Sequence, residues 1–316
     1  MKTRNLGKTD LAIVPIVFGG NVFGWTADEA RSFELLDAWL DRGFNCVDTA
    51  DAYSIWVPGH VGGESETIIG KWLKRSGRRD KVVLLTKVGH KGMPCGGGLK
   101  KEYILWEVEE SLKRLQTDRI DLYQSHMDDA ATPIEETLEA YAQLIDQGKV
   151  RYIGASNFTG ARLSEAMEVA EEKKLPAYTV LQPEYNLYSR QKYEEDLAPV
   201  VSKYGLGVIS YFSLASGFLT GKYQNLEDAK GKKREARVQK YFDERGMRIL
   251  KALKQVSEET GAEQAAVSLA WLLAKPTVTA PIASATSVEQ MGAMNAAVEL
   301  ELSEAQLKSL DEASAY

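Results

Sequence analysis

Residues 120–157 read IDLYQSHMDDAATPIEETLEAYAQLIDQGKVRYIGASN. Two short apolar runs, IDLY and VRYIGA, enclose a segment in which Ile134, Leu138, Tyr141 and Ile145 recur at helical spacing. Thr132 and Pro133 stand as cap and first-turn proline, and Glu135 and Glu136 follow where a helix dipole favours anions. Gly148 supplies the stop. The stretch therefore predicts strand, helix over 134–147 and strand, with polar residues closing each strand: His126 after the first, Ser156 and Asn157 after the second.

The same unit repeats in both directions. Strand-like runs are IVFG near 16, FNCVD near 46, VVLLTK near 84, IDLYQSH near 122, YIGASN near 153, YTVLQPEYN near 180, GVISYF near 209 and VTAPIAS near 280. Each is almost continuously apolar, as strands covered on both faces must be. Helical periodicity runs between them over 28–42, 64–75, 101–115 and 161–174 as well, with Gly43 just past the first. Alternation alone also suits an open doubly wound sheet. No strand here runs into GxGxxG with an acid about 20 residues later, and no linker or change of composition interrupts the chain. The expectation is an α/β fold, a single parallel (β/α)8 barrel over residues 1–316, with an N-terminal β-hairpin and a long loop after strand 7, from Ser213 to about Lys240.

At 316 residues, with 44% hydrophobic and 27% charged residues, the chain has the composition of an ordinary globular protein. A net charge of −6 argues against general nucleic-acid binding, which needs a basic face. No apolar run reaches the ~18 residues of a membrane span, and the N-terminus lacks a secretory h-region, so a cytoplasmic protein is expected. Of the two cysteines, Cys46 lies in a strand-like run and Cys95 in a glycine-rich loop, and neither makes a CxxC pair.

In such a barrel the chemistry sits at the carboxyl ends of the strands. Asp48 ends the second run and leads into Tyr53, Lys87 ends the third, His126 the fourth, and Gln182 falls near the end of the sixth. A lysine closing VVLLT needs an acid to compensate its buried charge, and Asp48 is one strand away. Lys87 beside Tyr53 would draw the phenol below its reference pKa near ~10 and make it a proton donor to a carbonyl, with hydride from a nicotinamide. His126 would orient the carbonyl oxygen or help relay its proton. No metal is needed. Trp25 and Trp56, beyond the first two strands, could wall a substrate pocket, whereas His60 and His90 read as surface-loop residues. The run KGKKREAR, 230–237, could touch cofactor phosphates or be simply solvated.

DTADAY (48–53), LLTK to Lys87 and DLYQSH to His126 resemble the aldo-keto reductases, especially the bacterial branch that includes potassium-channel β-subunit-like proteins. The likeness continues through RNLGKTDLAIVPIVFGG, SLKRLQTDRIDLYQSH, GKVRYIGASNF, LQPEYN, SGFLTGKY and PIASATSVEQ. It implies an oxidoreductase that interconverts aldehydes or ketones and alcohols, with Asp48, Tyr53, Lys87 and His126 as catalytic tetrad and NADP(H) as favoured cofactor, NAD(H) being the alternative. By the same resemblance Ser156, Asn157 and Gln182 hold the nicotinamide carboxamide, Tyr211 stacks on the ring, and Gly20, Asn21 and Asp48 are also cofactor-binding residues. Leu214, Gly217 and Lys222 line the pyrophosphate, and Ser284, Thr286 and Gln290, opening the last helix, contact the adenosine. The sequence departs from the family pattern at Ser284, Thr286, Ala293 and Met294, where glycine, a basic residue and Glu-Asn are common, and at Phe212-Ser213, where Ser-Pro is frequent. No side chain at 286 can clamp a 2′-phosphate.

Two other readings compete. A dinucleotide-binding redox-sensing module would retain the same residues with little turnover, but would be expected to carry a recruiting extension, which the sequence does not show. A metal-dependent barrel hydrolase would want paired histidines at strand ends, where Lys87 and Tyr53 stand instead. The expected partner is a small carbonyl or alcohol, neither nucleic acid nor membrane, and no motif names a protein partner.

Overall fold

Eight parallel strands close into a barrel in the computed structural model, which describes residues 1–93 and 96–316. Cys95 lies outside the described residues. A two-stranded antiparallel hairpin, β1 (Arg4–Asn5) and β2 (Ala12–Ile13), precedes the barrel. The barrel strands are β3 (Val17–Gly19), β4 (Cys46–Asp48), β5 (Val83–Val88), β6 (Ile120–Ser125), β7 (Val150–Ser156), β8 (Val180–Gln182), β9 (Gly207–Ser210) and β10 (Ala280–Ala283). They pair in sequence order, and β10 closes on β3. All eight expected strands are present.

Strand alternation divides the side chains into two sets. Val17, Cys46, Leu85, Leu122, Val180, Ile209 and Ala280 point inward and form an apolar plug with Leu6, Leu11 and Ile13 of the hairpin region. Val47, Leu84, Tyr123, Ile153, Leu181 and Val208 point outward beneath the helices. Two residues further along, the inward parity reaches Asp48, Lys87, Gln124, Gln182 and Tyr211. A polar layer thus sits on the apolar plug at the carboxyl end, put there by the same alternation. Gly7 (φ 58°) lets the hairpin approach the barrel, since an added Cβ would meet the Thr179 carbonyl at 2.4 Å.

The helices follow their apolar stripes. In 134–146 the buried positions are Ile134, Thr137, Leu138, Ala140, Tyr141 and Leu144, and Gly148 just beyond takes φ 70°. That helix opens at Ile134 as the spacing predicts and ends at Asp146, one residue early, but its cap is not Thr132. Extended Pro133 is its cap, and Thr132 turns away to donate to Asp129 Oδ2 at 2.7 Å, because Asp129 also gathers the amides of Leu99 and Ala131. The helix after Gln290 (Met291–Glu299) is not the last, since Glu304–Ala313 follows it. The long segment after β9 folds into short helical turns, including Glu235–Val238, anchored by buried Ala229, Val238 and Tyr241. Among the described residues no helix is long and apolar enough to cross a membrane.

Candidate active site

Lys87, wholly buried at the end of β5, spends its ammonium on three partners. Nζ lies 2.7 Å from Asp48 Oδ2, 2.7 Å from the Thr49 carbonyl and 3.2 Å from the Tyr53 hydroxyl. Burial works against this charge, but Asp48 and Tyr53 overcome it, and the Lys87 pKa moves up. Asp48 Oδ1 accepts from the side-chain amides of Gln182 (2.9 Å) and Gln124 (3.2 Å), so both carboxylate oxygens are engaged. The cation is fixed beside the phenol.

The Tyr53 phenol does not sit below its ordinary pKa as the sequence reading expects. Burial pushes it up, Lys87 pulls it part of the way back, and the carboxylate of Asp48 again opposes ionisation. Sequence adjacency showed the lysine but not the low-dielectric wall around the phenol. His126 is likewise driven well below its usual value by burial, by Lys87 and by His90, so it is neutral at physiological pH. Its ring lies 5.9 Å from that of Tyr53, and its carbonyl receives the Asn157 side-chain amide at 2.9 Å.

These groups open on a cavity of about 290 Å³ at the carboxyl end of the barrel. Asp48, Tyr53, His126, Ser156, Asn157 and Gln182 line one side, with Asn21 and Ser284 beside them. The Ser284 hydroxyl lies 2.7 Å from the Gly19 carbonyl and 2.8 Å from Asn21 Oδ1. Tyr211, Leu214 and Gly217 line the cavity as well, at an edge where the Tyr211 hydroxyl donates to Asn157 Oδ1 at 2.8 Å. Ser156 donates to the Gln182 carbonyl at 2.8 Å, tying β7 to β8. Phe212, in the left-handed region at φ 51°, and Ser213 line the same edge. Trp56 forms part of the wall, and Trp25 stands behind it with ring centroids 5.8 Å apart.

Other expected residues lie outside the lining. Gly20 is buried behind it, its carbonyl accepting from Ser65 Oγ. Thr286 and Gln290 bind one another, the Thr286 amide donating to Gln290 Oε1 at 2.9 Å. Lys222 is near the rim: an added Cβ on Gly217 would come 3.0 Å from its Nζ.

His90, Arg234 and Arg237 are among the lining residues not expected there. His90 is no simple surface residue, for it lines the cavity with its ring 5.0 Å from that of His126. Its place two residues beyond β5 was the available signal. His60 stays out of the cavity, its Nδ1 3.1 Å from Ser54 Oγ. Arg234 and Arg237, singled out only as part of the basic run, come back over the mouth. Sequence reading also passed over Asp51, which is fully buried behind His126. Its Oδ1 takes the Ala52 amide at 2.6 Å and lies 3.9 Å from His126 Nδ1, and its Oδ2 has no partner among the described residues. Burial and neighbouring Glu66 raise its pKa to about 7.

The sequence model of the Aldo/keto reductase family matches residues 15–315. The chain is 37% identical to the "Uncharacterized oxidoreductase YrpG" of Bacillus subtilis (strain 168), covering 99% of this chain and 95% of that one. It is 35% identical to a "Probable voltage-gated potassium channel subunit beta" of Oryza sativa subsp. japonica, over 92% and 89% of the two chains. A third relative, the "L-glyceraldehyde 3-phosphate reductase" of Escherichia coli O157:H7, is 30% identical over 92% of this chain and 86% of its own.

Proposed function

Since the chain belongs to the aldo/keto reductase family, we propose that it reduces aldehydes or ketones to alcohols with NADP(H), Tyr53 giving the proton. The observation that carries this reading is the buried ladder Asp48, Lys87, Tyr53, closed at 2.7 and 3.2 Å beneath a cavity. As the Tyr53 proton leaves for the carbonyl oxygen, the phenolate forms against an ammonium already in place, so little reorganisation is required. Asp48 holds that ammonium charged and directed. Neutral His126 offers a ring N–H to orient the same oxygen, not a second charged acid.

The residues around the cavity suit a dinucleotide. Tyr211 presents an aromatic face, and Ser156, Asn157 and Gln182 bring amide and hydroxyl groups for a carboxamide, with Gly20 and Asn21 at the same end. Leu214, Gly217 and Lys222 would take the pyrophosphate. Gly217, at φ 96°, leaves backbone bare beside Lys222, whose ammonium has no carboxylate partner among the described residues. Ser284, Thr286 and Gln290 would meet the adenosine. The reduced nicotinamide supplies hydride to the carbonyl carbon. NADP(H) is the expected form and NAD(H) its competitor, because Thr286 brings no cation to a 2′-phosphate.

The test is cofactor oxidation at 340 nm with NADPH and with NADH on a panel of aldehydes and ketones. Turnover with at least one carbonyl is expected. Tight dinucleotide binding without any turnover would refute the reductase reading and favour a redox-sensing module.

A further inference from the structure

Every arginine of the chain but two donates to a carboxylate or a backbone carbonyl, whether at the surface, as Arg75 does to Asp37 and Arg248 to the Ala313 carbonyl, or deeper, as Arg114 does to Glu66. The two are Arg234 and Arg237, which among the described residues have no hydrogen bond or ion pair for their guanidinium groups. Both line the cavity. A cation-lined mouth on a chain of net charge −6 is a local inversion of the protein's field, and an anion is what it would draw in.

The two arginines are neighbours over one ring, their guanidinium carbons 5.8 Å (Arg234) and 5.4 Å (Arg237) from the centre of Trp25. Arg234 is half-buried and close enough to both Lys222 and Arg237 for their charges to oppose one another. Arg237 alone of the two also reaches Trp56, its guanidinium 5.9 Å from that ring. Trp56 in turn packs edge-on against Tyr53 at 5.6 Å. Arg237 is therefore one aromatic ring removed from the proton donor. Its guanidinium lies near two rings and lines the cavity without a carboxylate partner among the described residues, and a guanidinium fork matches a carboxylate or a phosphate bidentately.

Resting on the reductase reading, we propose that the substrate is an anionic carbonyl compound, an aldehyde or ketone bearing a carboxylate or phosphate a few bonds away, and that Arg237 binds that anion. The carbonyl then reaches the Tyr53 hydroxyl while the aliphatic link lies along Trp56. Arg237 sets which carbonyls are accepted without touching the reacting atoms.

Matched pairs test this: succinic semialdehyde against butanal for a carboxylate, and glyceraldehyde 3-phosphate against glyceraldehyde for a phosphate, with wild type, Arg237→Gln and Arg237→Lys. Wild type should favour the anion of at least one pair by tenfold or more in kcat/KM, through KM, and which pair shows the preference identifies the anion. Arg237→Gln should lower that ratio about tenfold, and Arg237→Lys should restore part of it. No anion preference in wild type, or an equal loss on charged and neutral partners that tracks the Kd for NADPH, would overturn the proposal and hand Arg237 to the cofactor. If no aldehyde is reduced, the reductase reading fails on its own. Tryptophan fluorescence titrated with succinic semialdehyde and with glyceraldehyde 3-phosphate then decides the anion site: quenching in wild type that Arg237→Gln abolishes supports it, and quenching by neither compound refutes it.

Discussion

Asp51→Asn should make the protein more stable at pH 8, by an amount that grows with pH. Asp51 is fully buried in a cluster with Glu66 and Glu107, in which the nearest permanent cation is Arg114. Arg114 is already engaged by both glutamates, with Nε 2.7 Å from Glu66 Oε2 and Nη2 on Glu107. Neutral His126, its Nδ1 3.9 Å from Asp51 Oδ1, brings little charge of its own. Three carboxylates around one guanidinium cannot all ionise cheaply, and burial pushes both Asp51 and Glu107 to about 7. For an acid raised in the folded state, the folded chain holds the proton more tightly than the unfolded one. Stability is therefore full below the ordinary value of 3.8 and is lost as pH rises toward 7. Between pH 5 and pH 8 this amounts to about 2.5 kcal/mol lost by wild type and spared in the isosteric amide, which keeps the Ala52 amide bond. In a chain of this length the gain is an upward shift of about 4 °C in Tm. Urea melts of both proteins at pH 5, 6, 7 and 8, followed by far-UV circular dichroism, read the effect directly. Parallel curves for the two proteins across that range would refute the assignment of an uncharged Asp51.

Removing Lys87 should be severe for stability as well as chemistry: Lys87→Met leaves Asp48 buried without its cation and should cost about 3 kcal/mol in urea unfolding. Pairing it with Asp48→Asn should recover part of the loss, which a double-mutant cycle would show. His126, depressed by burial and by Lys87, should show no protonation down to pH 6 by NMR, and its contribution to stability should fall away only as pH drops below about 6.5, where the unfolded histidine charges. Gly217→Ala, at φ 96° and with its new Cβ 3.0 Å from Lys222 Nζ, should cost about 1 kcal/mol in strain and weaken NADPH binding measured by fluorescence quenching. Thr286→Arg should raise the preference for NADPH over NADH roughly tenfold in kcat/KM, by giving a 2′-phosphate a fork to bind.

Much of this molecule is legible from strand periodicity. VVLLTK and IDLYQSH fix both the barrel and its polar rim, because one alternation sends Leu85 and Leu122 into the plug and Lys87 and Gln124 into the layer above it. Local signals also give the helix ends at Gly43 and Gly148. What escapes is whatever depends on distance across the fold. The acids around Arg114 come from residues 51, 66 and 107, on separate segments, and nothing in their spacing shows that they share one buried space. His90 resembles any histidine in a glycine-rich loop until that loop is seen bent over His126. The basic run after β9 shows its charge in the sequence but not that both of its arginines come back to line the cavity. The direction of the Tyr53 shift was missed for the same reason, since pair electrostatics can be guessed from DTADAY and LLTK while the depth of burial cannot.

The central claim is that Tyr53 is the proton donor of a carbonyl reductase. Tyr53→Phe removes the phenolic hydroxyl and keeps the ring that packs on Trp56 and His126. Single-turnover oxidation of bound NADPH by an aldehyde should slow by about 10²-fold or more in the variant, with its fold and its Kd for NADPH unchanged. An equal rate of NADPH oxidation in wild type and variant would contradict the account.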